Sequence, residues 1–166
     1  MNYEYAQNFW INKDKNSKAM NQEDIKKAID AFSTSHNTLA LATGTGDYVR
    51  CTPVEYTYYK DMYWIMSEGG KKFIGLEKNK HVSAAVFDAY TGFGKLKGMQ
   101  VDGTAEIIEP FSDTYNEFLN LKKIPVEAIR RMEEPMPVIC IRPKETDILD
   151  SDFKEKGFDS RQHYQY

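Results

Sequence analysis

Between Thr38 and Ile108 the chain offers runs of β-forming residues separated by turns of only a few residues, and this spacing constrains the fold more than any other feature. Thr38–Thr43, Tyr48–Tyr59 and Met62–Ser67 read as three successive strands, joined by Gly44-Thr-Gly46-Asp47 and by the tight turn Lys60-Asp61. Connections this short leave no room for a crossover helix, so neighbouring strands run antiparallel. His81–Ala89 reads as a fourth strand. After the glycine-rich loop Tyr90–Gly94 comes a fifth, Leu96–Ile108, with Gly103 expected at a bulge or a close approach. Met136–Arg142 is the last core strand. Helices are expected at Asn21–Phe32, capped by Asn21 and striped by Ile25, Ala28, Ile29 and Phe32, at Ser112–Leu121, and in a short piece after Pro125. Six strands with few helices predict a mainly β fold, an antiparallel barrel that is closed or nearly closed, with helices outside. The 166 residues suit one domain, with an N-terminal arm at 1–20 and a tail at 153–166, either loose or laid on a partner subunit.

The balance of 22 Lys+Arg against 25 Asp+Glu argues against a protein built to grip a nucleic-acid backbone. A polar, acidic N-terminus reads as no signal peptide, and no apolar run reaches membrane-spanning length. Cys51 and Cys140 read as reduced, half-buried residues, which places the protein in the cytoplasm. Aromatic residues make up 13% of the chain, and several of them (Tyr56, Tyr58, Tyr59, Tyr63, Trp64) fall in one hairpin. Strand packing accounts for them without a stacking platform.

The segment Met62–Asn79 carries the first chemical signal. A strand ends at Ser67, Gly69 and Gly70 allow a turn without a Cβ penalty, and Lys71 and Lys72 open a short helix with Phe73, Ile74 and Leu76 as its apolar positions. Free N–H groups, two ammoniums and the Ser67 hydroxyl form a candidate phosphate cradle. The lysines dominate it: a charge pair at about 4 Å is worth about 4 kcal/mol at an effective dielectric of about 20. The helix terminus adds only roughly 0.3–1 kcal/mol. Two more groups stand out. In Arg50-Cys51-Thr52-Pro53-Val54-Glu55 the proline removes a ladder donor, which puts the strand at an edge, at a bulge or against a ligand. In Lys97-Gly98-Met99-Gln100-Val101-Asp102-Gly103, Gln100 offers a donor and an acceptor among apolar neighbours.

Together these residues resemble the pyridoxamine 5'-phosphate oxidase-like family of FMN-binding split barrels. The match rests on Arg50 with Pro53-Val54, on Ile65-Met66-Ser67 with Gly69-Gly70-Lys71-Lys72 and Leu76 through Ser83, and on Gln100-Val101-Asp102-Gly103. The resemblance implies a split barrel in which Arg50, Lys71 and Lys72 meet the FMN phosphate with Ser67 nearby. The backbone at Thr52, Pro53 and Val54 and at Ile65 and Met66 would line the flavin ring, and Gln100 would bond its polar end. It also implies a homodimer with the flavin between subunits. A dianionic phosphate needs several cations and a flavin an apolar slot with few polar contacts, so the residue types agree.

The chain departs from true pyridoxamine-phosphate oxidases in two ways. Arg161-Gln-His163 lies in the tail without a tryptophan-bearing strand leading into it, which argues against vitamin B6 oxidation, and Lys71-Lys72 stands where those oxidases carry Arg then Lys. Gly92-Phe-Gly94-Lys-Leu-Lys-Gly98 is one residue too long for a dinucleotide fingerprint and joins two strands, so it reads as a loop. His36, His81 and His163 form no metal-ligand spacing, though any one could serve as an axial haem ligand. Glu127–Glu134 reads as a solvated helix face, and Asp147, Asp150 and Asp152 lack the pattern of a calcium loop. No obligatory acid or base stands out, and three readings follow. One is an FMN-dependent oxidoreductase exchanging a hydride or electrons with a small substrate or reduced nicotinamide, another a non-catalytic flavin carrier or redox partner, the third a haem- or deazaflavin-binding split barrel.

Overall fold

The structure is a computed structural model that describes residues 1–166, the side chain of Asp14 excepted. Two helices, α1 (Tyr3–Asp14) and α2 (Gln22–Ser35), precede the strands β1 (Thr38–Thr45), β2 (Tyr48–Glu55), β3 (Thr57–Tyr59) and β4 (Met62–Met66). Next come α3 (Lys72–Lys78), β5 (His81–Phe87) and β6 (Lys97–Ile108), then α4 (Asp113–Leu121), α5 (Val126–Arg130), β7 (Val138–Asp150) and β8 (Arg161–Gln165). Every strand pairing is antiparallel, in the order β2-β1-β5-β6-β7-β4-β3 with β8 added to β7.

The expected barrel class holds, but with eight strands rather than six. The long strand expected at Tyr48–Tyr59 is broken at Tyr56, which leaves the ladder and turns inward. Its N–H donates to the Asn37 carbonyl at 2.8 Å, its hydroxyl to the Ser33 carbonyl at 2.8 Å, and its ring packs on Tyr63 at 5.2 Å. One residue thus carries the chain from β2, at one end of the sheet, to β3 at the other, and the sheet curls into a half-barrel. β2 pairs only with β1, while β4 pairs with β3 no further than Trp64. The outer edge of β2 and the Ile65–Met66 edge of β4 are therefore the two lips of the split. Pro53 lies on an end strand, where its missing donor is tolerated.

Inside the barrel, Leu39, Leu41, Tyr63, Ile65, Val101 and Ile141 pack under Ile25 and Ile29 of α2. Outside it, α4 and α5 lay Tyr115, Phe118, Leu119 and Ile129 on Trp64, Val138 and Cys140. β4 and the start of β7 are buried on both faces, which is why their sequences are continuous apolar runs without alternation. Asn21 caps α2 through the Asp24 N–H at 2.8 Å, and Ser112 caps α4 through the Tyr115 N–H at 3.2 Å, both as expected.

Three further expectations are corrected. The last core strand continues past Arg142 to Asp150, because Pro143 falls opposite Gly103, at the bulge between Asp102 and Gly103, where a ladder donor is dispensable. The tail is not loose: residues 151–156 form a 3-10 turn and β8 adds to β7. Buried Gln162 fastens it, accepting from the Met20 N–H at 2.8 Å and donating to the Asp159 carbonyl at 2.6 Å. Finally, the cysteines differ. Cys51 is exposed and Cys140 buried, its thiol pushed up to about 11 by desolvation.

Candidate functional site

The site is built on the turn between β4 and α3. Gly69 and Gly70 have φ of 106° and 102°, the left-handed region that glycine enters without strain. Ser67 ties this turn, accepting from the Gly69 N–H at 3.1 Å and donating to the Gly69 carbonyl at 3.2 Å. Tyr48 reaches over from β2 and donates to the Lys71 carbonyl at 3.1 Å. The turn folds Lys72 back so that its ammonium donates to the Gly69 carbonyl, and the side chain is buried at 6% exposure.

Burial, and then the neighbouring Arg50 guanidinium, hold the Lys72 pKa below its ordinary value of 10.5. The family resemblance implies one cradle for Arg50 and Lys72, and the fold brings them within electrostatic reach of each other. Among the described residues neither they nor Lys71 form an ion pair with a carboxylate. A buried ammonium and an exposed guanidinium converge without a counter-charge, an arrangement that an anion relieves. Two buried hydroxyls adjoin them. Thr43 lies opposite Arg50 in the β1–β2 ladder and Thr52 two residues along, and the Oγ1 of each lacks a hydrogen-bond partner. Orphaned hydroxyls beside a cation pair fit a phosphate with several acceptor oxygens. The sequence had marked Thr52 only for its backbone and had not marked Thr43 or Tyr48. Only their place in the ladder shows their relevance.

α3 has seven residues and no side-chain cap at Lys71, so its end contributes little beside the cations. It holds Lys72 in place by close packing. A Cβ on Gly75 would lie 2.9 Å from the Gly44 nitrogen and 3.1 Å from the Thr43 Cβ. Gly75→Ala is therefore expected to push α3 off β1, costing about 1–3 kcal/mol of stability and weakening anion binding. Urea unfolding and a phosphate titration of the same variant check both effects.

The remaining candidates divide. Thr52, Pro53 and Val54 lie along one lip of the split and half-buried Met66 along the other, whereas Ile65 is wholly buried in the core rather than open to a ring. Gln100 is not gathered in. It is exposed on the outer face of β6, in the row Pro53–Ala40–Ala85–Gln100. Three strand spacings put it about 14 Å from Pro53. Arg161 and His163 both engage Asp147 of β7, which faces Gln100 in the ladder, at 2.7 Å and 3.0 Å respectively.

Asp150, read from sequence as part of an acidic run, pairs with Lys97 at 3.5 Å. His36 lies between Asp88 (2.8 Å) and the Phe32 carbonyl (2.9 Å). No three His, Cys, Asp or Glu side chains gather into a metal site among the described residues. The supposed helix face at Glu127–Glu134 is helical only to Arg130. No described helix is long and apolar enough to cross a membrane.

Comparison with known proteins agrees with the fold. Solved structures share the fold at low identity, among them a FAD-binding protein from Mesorhizobium loti (18% identity, TM-score 0.58, covering 73% of this chain and 89% of that one). A putative pyridoxamine 5'-phosphate oxidase from Listeria innocua matches at 20% identity and TM-score 0.58, over 75% of this chain and 98% of that one. HutZ, the heme storage protein of Vibrio cholerae, matches at 15% identity and TM-score 0.59, over 70% and 88%. No curated protein sequence matches the chain. The sequence pattern of the pyridoxamine 5'-phosphate oxidase family, however, matches residues 25–150, which span β1 to β7 and the whole cradle, and the chain belongs to that family.

Proposed function

We propose that the protein binds FMN non-covalently and works as a cytoplasmic flavoprotein that moves a hydride or electrons between FMN and a small substrate or reduced nicotinamide. The observation that carries this reading is the buried Lys72 beside Arg50, at the end of a split whose lips are unpaired backbone. The cations would hold the phosphate, and Thr43 and Thr52 would donate to its oxygens. The lips at Thr52–Val54 and Met66 would clasp the ring and exclude water from it. Bound flavin supplies the redox step, so the chain needs no acid or base of its own.

Gln100 lies three strand spacings from Pro53, beyond the lip that would line the ring, which favours a homodimer in which each subunit's Gln100 reaches the partner's cofactor. The outer sheet face suits such contact: Ala40, Ala42, Ala85 and Gly98 are small, and Phe87 and Val49 stand 64% and 79% exposed. FAD-binding and heme storage proteins share this fold, so the fold alone does not select the cofactor. The phosphate cradle does favour FMN, and none of the three histidines lies on β2, β4 or the Ser67–Lys72 turn.

The test is the visible spectrum of the purified protein before and after adding FMN. Two flavin bands that survive desalting support the reading. A protein that ignores FMN, or one showing a sharp haem Soret band, overturns it.

A pH dependence follows from Lys72. Its lowered pKa means that the unfolded chain holds this proton more tightly than the folded one. The lysine thus opposes folding at neutral pH, and the opposition fades as pH rises past the folded-state pKa towards 10.5. A bound phosphate favours the ammonium and reverses the sign. FMN affinity is expected to fall as pH rises through the Lys72 pKa of the free protein, while riboflavin, with the same ring, keeps its affinity. Fluorescence titrations of both ligands along the pH series check this.

A further inference from the structure

A second recess lies apart from the split, between α1, the Tyr90–Gly94 loop and the start of β8. It measures about 260 Å³, and its walls include Trp10, Phe93, Leu96 and Leu149. A volume just below the usual range for small-molecule pockets fits a ligand of one or two rings. We infer that this recess binds a small aromatic acid, its ring between Trp10 and Phe93 and its anionic group at Lys13 and Lys154.

Three observations converge on that chemistry. Phe93 is 83% exposed, an aromatic ring held in water on a loop between Gly92 (φ 135°) and Gly94, and neither glycine has an atom within 4 Å of where a Cβ would stand. A ring on so open a hinge can close on a planar guest at little steric cost. Trp10 forms the opposite wall, with the Lys13 ammonium 4.6 Å from its ring; Arg161, 5.4 Å from the same ring, is paired with Asp147, and Asp159, which also lines the recess, accepts from the Lys18 N–H, so Lys13 and Lys154 are the cations that face a guest. Lys13 and Lys154 both line it, and neither pairs with a carboxylate among the described residues. Apolar walls with cations at the rim select a flat apolar body with one negative charge over a neutral ring or a small inorganic ion. Trp10 and Lys13 precede residues 25–150, the stretch that carries the family pattern, so one wall of the recess comes from this chain's N-terminal helix.

Calorimetric titration with 2-naphthoate and with its neutral counterpart 2-naphthalenemethanol tests the inference, with FMN binding measured on each variant. Saturable naphthoate binding is expected, at least tenfold tighter than that of the alcohol. Trp10→Ala should weaken both ligands. Lys154→Ala should weaken naphthoate at least fivefold, leave the alcohol unchanged and spare FMN binding. Naphthoate that does not bind, that binds no tighter than the alcohol, or that ignores both substitutions overturns the inference. Because the recess and the cradle share no residue, failure here leaves the flavin reading intact, and the converse holds.

Discussion

Lys72→Ala is expected to weaken FMN by about 1.5–3 kcal/mol, the loss typical of a charge-assisted contact, and to leave riboflavin almost unaffected. The argument rests on where the charge stands. Lys72 is buried beside Arg50 without a carboxylate, its ammonium donating to the Gly69 carbonyl, so an arriving anion supplies the counter-charge that the free protein lacks there. Removing it should therefore do no harm to the fold. The melting temperature of the unliganded variant is expected to match or exceed that of the parent. This pairing of weaker FMN with undiminished stability separates a binding lysine from a structural one. Fluorescence titrations of FMN and riboflavin, with a thermal melt of each free protein, measure it. Equal losses for the two flavins would show that the phosphate does not sit at Lys72, and Arg50→Ala should repeat the pattern more weakly from its exposed position.

The second large effect concerns the fold. Gly103→Ala is expected to destabilise by about 3 kcal/mol or more, at the upper end for overpacking. A Cβ there would lie 2.3 Å from the Arg142 carbonyl oxygen and 3.1 Å from the Pro143 Cα, all backbone that cannot swing aside. Relief would require β6 and β7 to part at the bulge, where the longest pairing in the sheet changes register. Calorimetry should show a fall of roughly 6–12 °C in melting temperature, given about 2–4 °C per kcal/mol for a chain of this size. A shift under about 2 °C would mean that the bulge is open enough to take a methyl group.

The parts of this molecule legible in sequence are those with local causes. The Gly69-Gly70 turn could be read because only glycine sits comfortably at its φ values, and Asn21 and Ser112 because capping is settled within three residues. The break at Tyr56 had no such signal. Tyr48–Tyr59 contains β-formers on both sides of it, and what pulls Tyr56 out of the ladder is the Ser33 carbonyl of a helix 23 residues away. β7 was truncated at Arg142 because a proline normally ends a central strand, and the bulge that excuses Pro143 belongs to another strand. β8 escaped notice since its anchor is a buried glutamine held by Met20 and Asp159 instead of an apolar alternation. Ser67 and Lys72 could be marked as cradle candidates from the residues and Arg50 through the family resemblance, whereas the hydroxyls of Thr43 and Thr52 became candidates only once the β1–β2 register set them beside Arg50.

The two lips of the split also bear on how the protein behaves in storage. Backbone proposed to hold a flat ring is also backbone that can pair with a strand of another chain, the usual route by which sheet edges seed aggregation. Pro53 blunts one lip by removing a donor, and the charge of Arg50 blunts it further; on the other lip Ile65 is shielded by burial, and Met66 has neither protection. Cofactor loading would then serve as a solubility device as well as a source of chemistry. Preparations saturated with the right ligand during expression should stay monodisperse at concentrations where stripped protein turns cloudy.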